Sequence, residues 1–173
     1  METIVSFRPV ALGLSNYRTY LFASVFVLGN IVFPQLCHLV PDGGKILLPI
    51  YFFTLIASYK FGIRLGLLTA ILSPLCNHLL FGMPPMAVLP VLLIKSSLLA
   101  VAAALVARHS RKVSLWLLAG VVLAYQLTGA VAELFITNSF SMALQDFRLG
   151  FPGMIVQIVG GWFVLKMLAR YEC

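Results

Sequence analysis

Charge is what this sequence has least of. Of its 173 residues only 5 are acidic and 12 are basic, so charged side chains make up 10% of the chain. A soluble domain carries about 25%, which leaves too few side chains here to build a water-facing surface. Cysteine is as scarce. Cys37, Cys76 and Cys173 are too few for a disulfide framework, and their spacing fits no zinc site. They read as small apolar packing residues; a Cys37–Cys76 bridge stays open because both fall near one membrane face. No G-x-x-x-x-G-K-S/T phosphate loop is present, which excludes ATP hydrolysis by that route. H-E-x-x-H, G-x-S-x-G and paired intramembrane aspartates are also missing. There is no internal repeat of the kind that inverted-repeat transporters carry.

Hydrophobic residues fill the space that charge leaves. They make up 61% of the chain, mean hydropathy is +1.03, and they fall in blocks. Each block is close to the roughly 20 residues that cross a bilayer as a helix. The reading is an all-α integral membrane protein forming one domain over residues 1–173. Its first 17 residues, "METIVSFRPVALGLSNY", lack the unbroken apolar core of a signal peptide, because Arg8 and Pro9 split them. Residues 1–16 are expected to be a cytoplasmic or interfacial segment, either amphipathic along the membrane surface or disordered.

Six spans follow over residues 17–170: Tyr17 to Leu39, Ile46 to Ser58, Ile63 to Phe81, Ala87 to Ala107, Leu115 to Phe135, and Phe151 to Leu168. Pro41, Gly43 and Gly44 mark the first turn. Pro84 and Pro85 cannot continue the third helix. Arg8, Arg18, Lys60, Arg64, Arg108, Arg111, Lys112, Lys166 and Arg170 all fall on one side of these spans; only Lys45 and Arg148 fall on the other. By the positive-inside rule both termini are cytoplasmic. The net charge of +7 is thus spread over helix ends and forms no nucleic-acid patch. Small residues recur at helical spacing: Gly62, Gly66 and Ala70, the alanines of span four, and Gly160 with Gly161. These faces are expected to pack helices within the chain, with docking of a partner's helix as the alternative.

One cation is left over. Lys95 stands inside "LPVLLIKSSLLAVAAAL", eight residues or roughly 12 Å below the outer end of its span. Other polar residues gather in the same outer half. Glu133 sits at the outer mouth of span five, with Gln126 seven residues deeper on its face, and Gln157 lies about 9 Å down span six. Asn30 and His38 are on span one, Asn77 and His78 at the outer end of span three. An intramembrane ionisable group is a functional hypothesis by default, and a water-accessible outer cavity accounts for the asymmetry. Lys95 is then either a fixed ion pair with Glu133 or the partner of a ligand's anion. His38 and His78 read as hydrogen-bonded groups at helix ends, with metal or haem ligation as the alternative.

"LLPIYFFTLIASYKFGIRLGLLTAILSPLCNHLLFGMPP" and "AVLPVLLIKSSLLAVAAALVAR" give this chain a family likeness. It resembles the substrate-binding S components of energy-coupling factor (ECF) vitamin importers, which have six helices, a short second helix and both ends inside. The resemblance implies a ligand in the outer half between helices four, five and six. It also implies a transmembrane coupling subunit and two ATPase subunits as partners, with no enzymatic activity of the chain's own and no cofactor. Many members present Ala-x-x-x-Ala on helix one; here Ala23 is followed by Val27 and Ser24 by Leu28. Nickel and cobalt members carry histidine after the initiator methionine, where this chain has Glu2.

The expected function is high-affinity binding of a small, water-soluble, anionic vitamin or precursor. Lys95, Glu133, Gln126, Gln157, Asn77, His78, Asn30 and His38 are the expected contacts, with haem or a corrinoid as other cargoes. Two further classes stay open. One is a membrane-embedded enzyme on a lipid or isoprenoid, with Glu133 and His78 as acid and base. The other is a structural subunit of a larger membrane complex.

Overall fold

The computed structural model describes residues 4–39 and 41–170; Glu2 and Cys173 lie outside the described residues. It is an α-helical bundle. Five of its helices are long and apolar enough to cross a membrane. Helix α1 (Tyr17–Cys37) starts where the Asn16 side chain accepts from the Arg18 amide, which satisfies one of the donors a helix start leaves over. Helix α4 (Ile63–Phe81) ends on Gly82 at φ 67°, whose amide donates to the His78 carbonyl. Helices α5 (Leu89–Ser110) and α6 (Leu115–Thr137) end the same way, on Arg111 and Asn138 in left-handed conformations.

The expected second span is interrupted. A five-residue helix α2 (Gly43–Leu47) stops at Leu48, which takes φ 46°, and a single 3₁₀ turn (Pro49–Tyr51) leads into α3 (Phe52–Phe61). At ten residues α3 is about 15 Å long, half the hydrocarbon thickness. Its residues Thr54 to Lys60 are all buried. A helix apolar on every side belongs at the centre of a bundle, and α3 is wrapped by α1, α4, α5 and α10 (Gly161–Arg170). The final helix is a continuous run from α9 (Phe151–Ile155) through a π-helical turn (Val156–Gly160) into α10. Two short helices, α7 (Phe140–Ala143) and α8 (Gln145–Arg148), fill the connection between α6 and α9.

The N-terminal segment is tied to one end of the bundle, with Phe7 its buried residue. Strand β1 (Ile4–Ser6) pairs antiparallel with β2 (Lys112–Ser114), with Val5 opposite Val113. Phe7 follows, 2% exposed and in ring contact with Tyr59. The Val10 amide donates to the Lys60 carbonyl, and the Tyr59 hydroxyl donates to the Lys112 carbonyl at 2.6 Å. The start of the chain, the α3–α4 turn and the α5–α6 turn therefore sit at one end of the bundle, and α10 packs against both strands.

Small residues set the helix spacing, as their periodicity led us to expect. A β-carbon on Gly66 would press into the Ser58 side chain, so α4 meets α3 at backbone distance there. Ala70 and Ala100 are fully buried, and Gly161 lies against Leu55. Cys37 and Cys76 are free thiols.

Gly66→Ala is expected to overpack this contact at about 1–3 kcal/mol and lower the unfolding midpoint of the detergent-solubilised protein. Gly120→Ala, where an added β-carbon meets nothing within 4 Å, should leave it unchanged. Equal midpoints for the two variants would refute the close α3–α4 contact.

Candidate functional site

The buried face of α5 runs through Val91, Lys95, Ser96 and Leu99, and that of α6 through Gln126, Gly129, Ala130 and Glu133. The spacing on α6 is that of one helix stripe. Where the helices meet, the Lys95 side chain passes over Gly129; a β-carbon there would fall 2.6 Å from Lys95 Cγ. Beyond that gap the Lys95 ammonium donates to Glu133 Oε2 at 2.5 Å and to Asp146 Oδ2 at 2.8 Å. Lys95 is 2% exposed and Glu133 9%. The lysine does not snorkel to a surface; it is enclosed, with two carboxylates in place of water.

The fixed ion pair between Lys95 and Glu133 is thus present, and a third member joins it. Asp146 stands on α8, outside the membrane-depth residues that the sequence singles out. The signal that finds it is scarcity. Apart from Glu133, Asp42 and Asp146 are the only acidic residues between the chain's two ends, so a buried lysine had few partners to choose from. Two carboxylates on one ammonium leave a formal surplus of one negative charge.

Gln126 and Gln157 complete the site from the α6 face and the π turn. The Tyr125 hydroxyl donates to Gln157 Oε1 at 2.9 Å, and the Tyr51 and Tyr125 rings lie 5.3 Å apart. Gln157 Nε2, both amide atoms of Gln126 and the Ser96 hydroxyl are buried, with no hydrogen-bond partner among the described residues. Such groups cost about 1–3 kcal/mol each when unsatisfied; Asn30 Oδ1 and Asn77 Oδ1, outside this site, are likewise buried without a partner among the described residues.

The remaining expected contacts lie elsewhere. Asn30 Nδ2 donates to Thr54 Oγ1 and Ser73 Oγ, both at 3.0 Å, while Asn77 Nδ2 donates to the Asn30 and Ser73 carbonyls. This second cluster ties α1, α3 and α4 together; Ser73 stands with Asn77 at the outer end of the Ile63–Phe81 span, and Thr54 is the member the sequence reading missed. His78 Nδ1 donates to the Pro84 carbonyl at 2.8 Å, and His38 is exposed at the end of α1 with its ring against Gly44. His78 and Glu133, weighed together as acid and base, have separate partners. Among the described residues no three His, Cys, Asp or Glu side chains gather as a metal site.

Breaking a buried ion pair from one side costs about 3–5 kcal/mol because the other charge stays behind. Lys95→Met is therefore expected to lower the unfolding midpoint sharply, and adding Glu133→Gln should recover much of the loss. A double-mutant cycle measures the coupling; additive effects would mean that the pair contributes nothing. No family model matches this chain, and neither does any curated protein or solved structure.

Proposed function

We propose that this chain is a high-affinity, membrane-embedded substrate-binding subunit for uptake of a small, water-soluble, anionic vitamin or precursor. It works as the S components of ECF importers do, with a transmembrane coupling subunit and two ATPases, in the cytoplasmic membrane of a prokaryote. It crosses six times, with Pro49 to Phe61 as the short second crossing, and both termini are cytoplasmic. Two facts support that topology: the basic residues fall nine to two across the spans, and the N-terminal strand, the α3–α4 turn and the α5–α6 turn share one end of the bundle. An even number of crossings separates elements that share an end.

One observation carries the binding reading. A buried ammonium, already donating to a carboxylate from a surface connection, sits on the same buried helix faces as Ser96 and Gln126, whose side-chain polar atoms have no partner among the described residues. An acid group suits Lys95, and the Gln126 and Gln157 amides suit the donors and acceptors of a polar ring or chain. Structural support for the site comes from Tyr125 and Tyr51, while Asn30 and Asn77 hold the neighbouring helices in register.

The closed Lys95–Glu133 pair favours a second reading, a structural subunit of a larger membrane complex whose polar groups serve packing alone. The two readings separate by experiment. Mass spectrometry of molecules retained by the purified protein should identify a small acid. A thermal-shift panel of biotin, pantothenate, lipoate and folate should contain one strong responder, since ligand at a hundred times its Kd stabilises by about 2.7 kcal/mol. Gln126→Leu removes unsatisfied groups, so it should keep or raise the ligand-free midpoint while weakening the response about tenfold. No retained molecule and no responder would support the packing reading.

A further inference from the structure

Lys95 needs one carboxylate, and Glu133 supplies it from the 23-residue α6. The second comes from a different kind of element. Asp146 belongs to a four-residue helix in the connection 138–150, next to another four-residue helix. Single helical turns carry little stability of their own. Ala143 and Phe147 give this connection apolar contact with the bundle. Among the described residues, the bond from Asp146 to Lys95 is its only side-chain hydrogen bond to a helix other than α6. The connection's polar tie to α5 is thus that one bond, beside apolar packing.

We propose that the Asp146 carboxylate stands where the ligand's acid group binds, so that residues 138–150 form a lid latched on Lys95 until a carboxylate or phosphate takes its position. The proposal rests on the binding reading above and adds how the site opens and which ligands open it. The exchange is acid for acid. With a carboxylate, Lys95 and Glu133 keep the same charges around them before and after, so no new buried charge has to be stabilised. A neutral or cationic solute cannot make that exchange, because it offers the Lys95 ammonium no anionic acceptor in place of Asp146. The outer face of the same lid is suited to collecting an anion. Lys45, Ser141, Gln145, Arg148 and Leu149 line a surface hollow of about 300 Å³ there, with Gln145 and Arg148 on the very turn that turns Asp146 inward. Lys45 also meets Asp42 at 3.1 Å, an exposed pair of the kind worth about 0–1 kcal/mol and easily exchanged.

The test uses the full chain in lipid nanodiscs, comparing the wild type with Asp146→Ala and with formate as the probe. Hydrogen exchange at the amides of 138–150 should become about tenfold faster in the variant, as expected for loss of one charged hydrogen bond. The formate concentration that gives half-maximal thermal stabilisation should fall about tenfold, because the built-in competitor has gone. If Asp146→Ala does not fold, the nearly isosteric Asp146→Asn carries both measurements. Unchanged exchange overturns the latch. Faster exchange with the same formate midpoint also overturns it, since Asp146 would then tie the loop without occupying an acid site. A lower formate midpoint with no response to any vitamin acid supports the latch and overturns the uptake reading alone.

Discussion

An ammonium group removed from water governs the outer half of this bundle. Taking such an ion into low dielectric costs several kcal/mol even after relaxation, so Lys95 can be buried only where carboxylates replace its hydration. That demand explains three otherwise unrelated features. Glu133 lies on the α6 face opposite Lys95. Position 129 has no side chain, because the lysine stem runs through the space one would fill. The connection after α6 carries an aspartate on a turn that dips back toward the bundle.

The polar residues at membrane depth divide into two groups with different chemistry. Asn30, Thr54, Ser73 and Asn77 use neutral donors and acceptors and spend most of them on one another. Interhelical hydrogen bonds of this kind contribute about 0.6 kcal/mol on average in a membrane protein, enough to set rotation and register in helices whose outer faces are uniformly apolar. The group around Lys95 is charged and incompletely satisfied, with both ends of the Gln126 amide unused. Asn30 Oδ1 and Asn77 Oδ1 are also without a partner among the described residues, so the binding hypothesis rests on what the asparagines lack, an enclosed ammonium between two carboxylates.

Sequence patterning made the long helices legible, because each is an apolar block punctuated by residues with a known backbone effect. The span from Ile63 to Phe81 needed only Gly62 before it and Gly82 after it. Helix α3 was harder: Leu48 in a left-handed conformation breaks what reads as one apolar run from Ile46, and leucine gives no local warning of that. The pairing of β1 with β2 was illegible for another reason. Three-residue strands more than 100 positions apart have no periodicity, and only tertiary packing around Phe7 brings them together. In the site, Lys95, Glu133 and Gln157 could be found from depth alone. Asp146 could not, since nothing in a surface turn marks which of its side chains points inward.

Helix α3 also constrains how the protein enters a bilayer. Ten residues with Lys60 next to the last make a poor insertion signal by themselves, too short to span and burdened with a cation. The Gly62 turn joins that segment directly to α4, with the Gly62 amide bonded to the Ser58 carbonyl and the Gly66 amide to Gly62. The two helices are therefore joined as a tight hairpin, in which α3 relies on α4 for the long apolar run that its own ten residues lack.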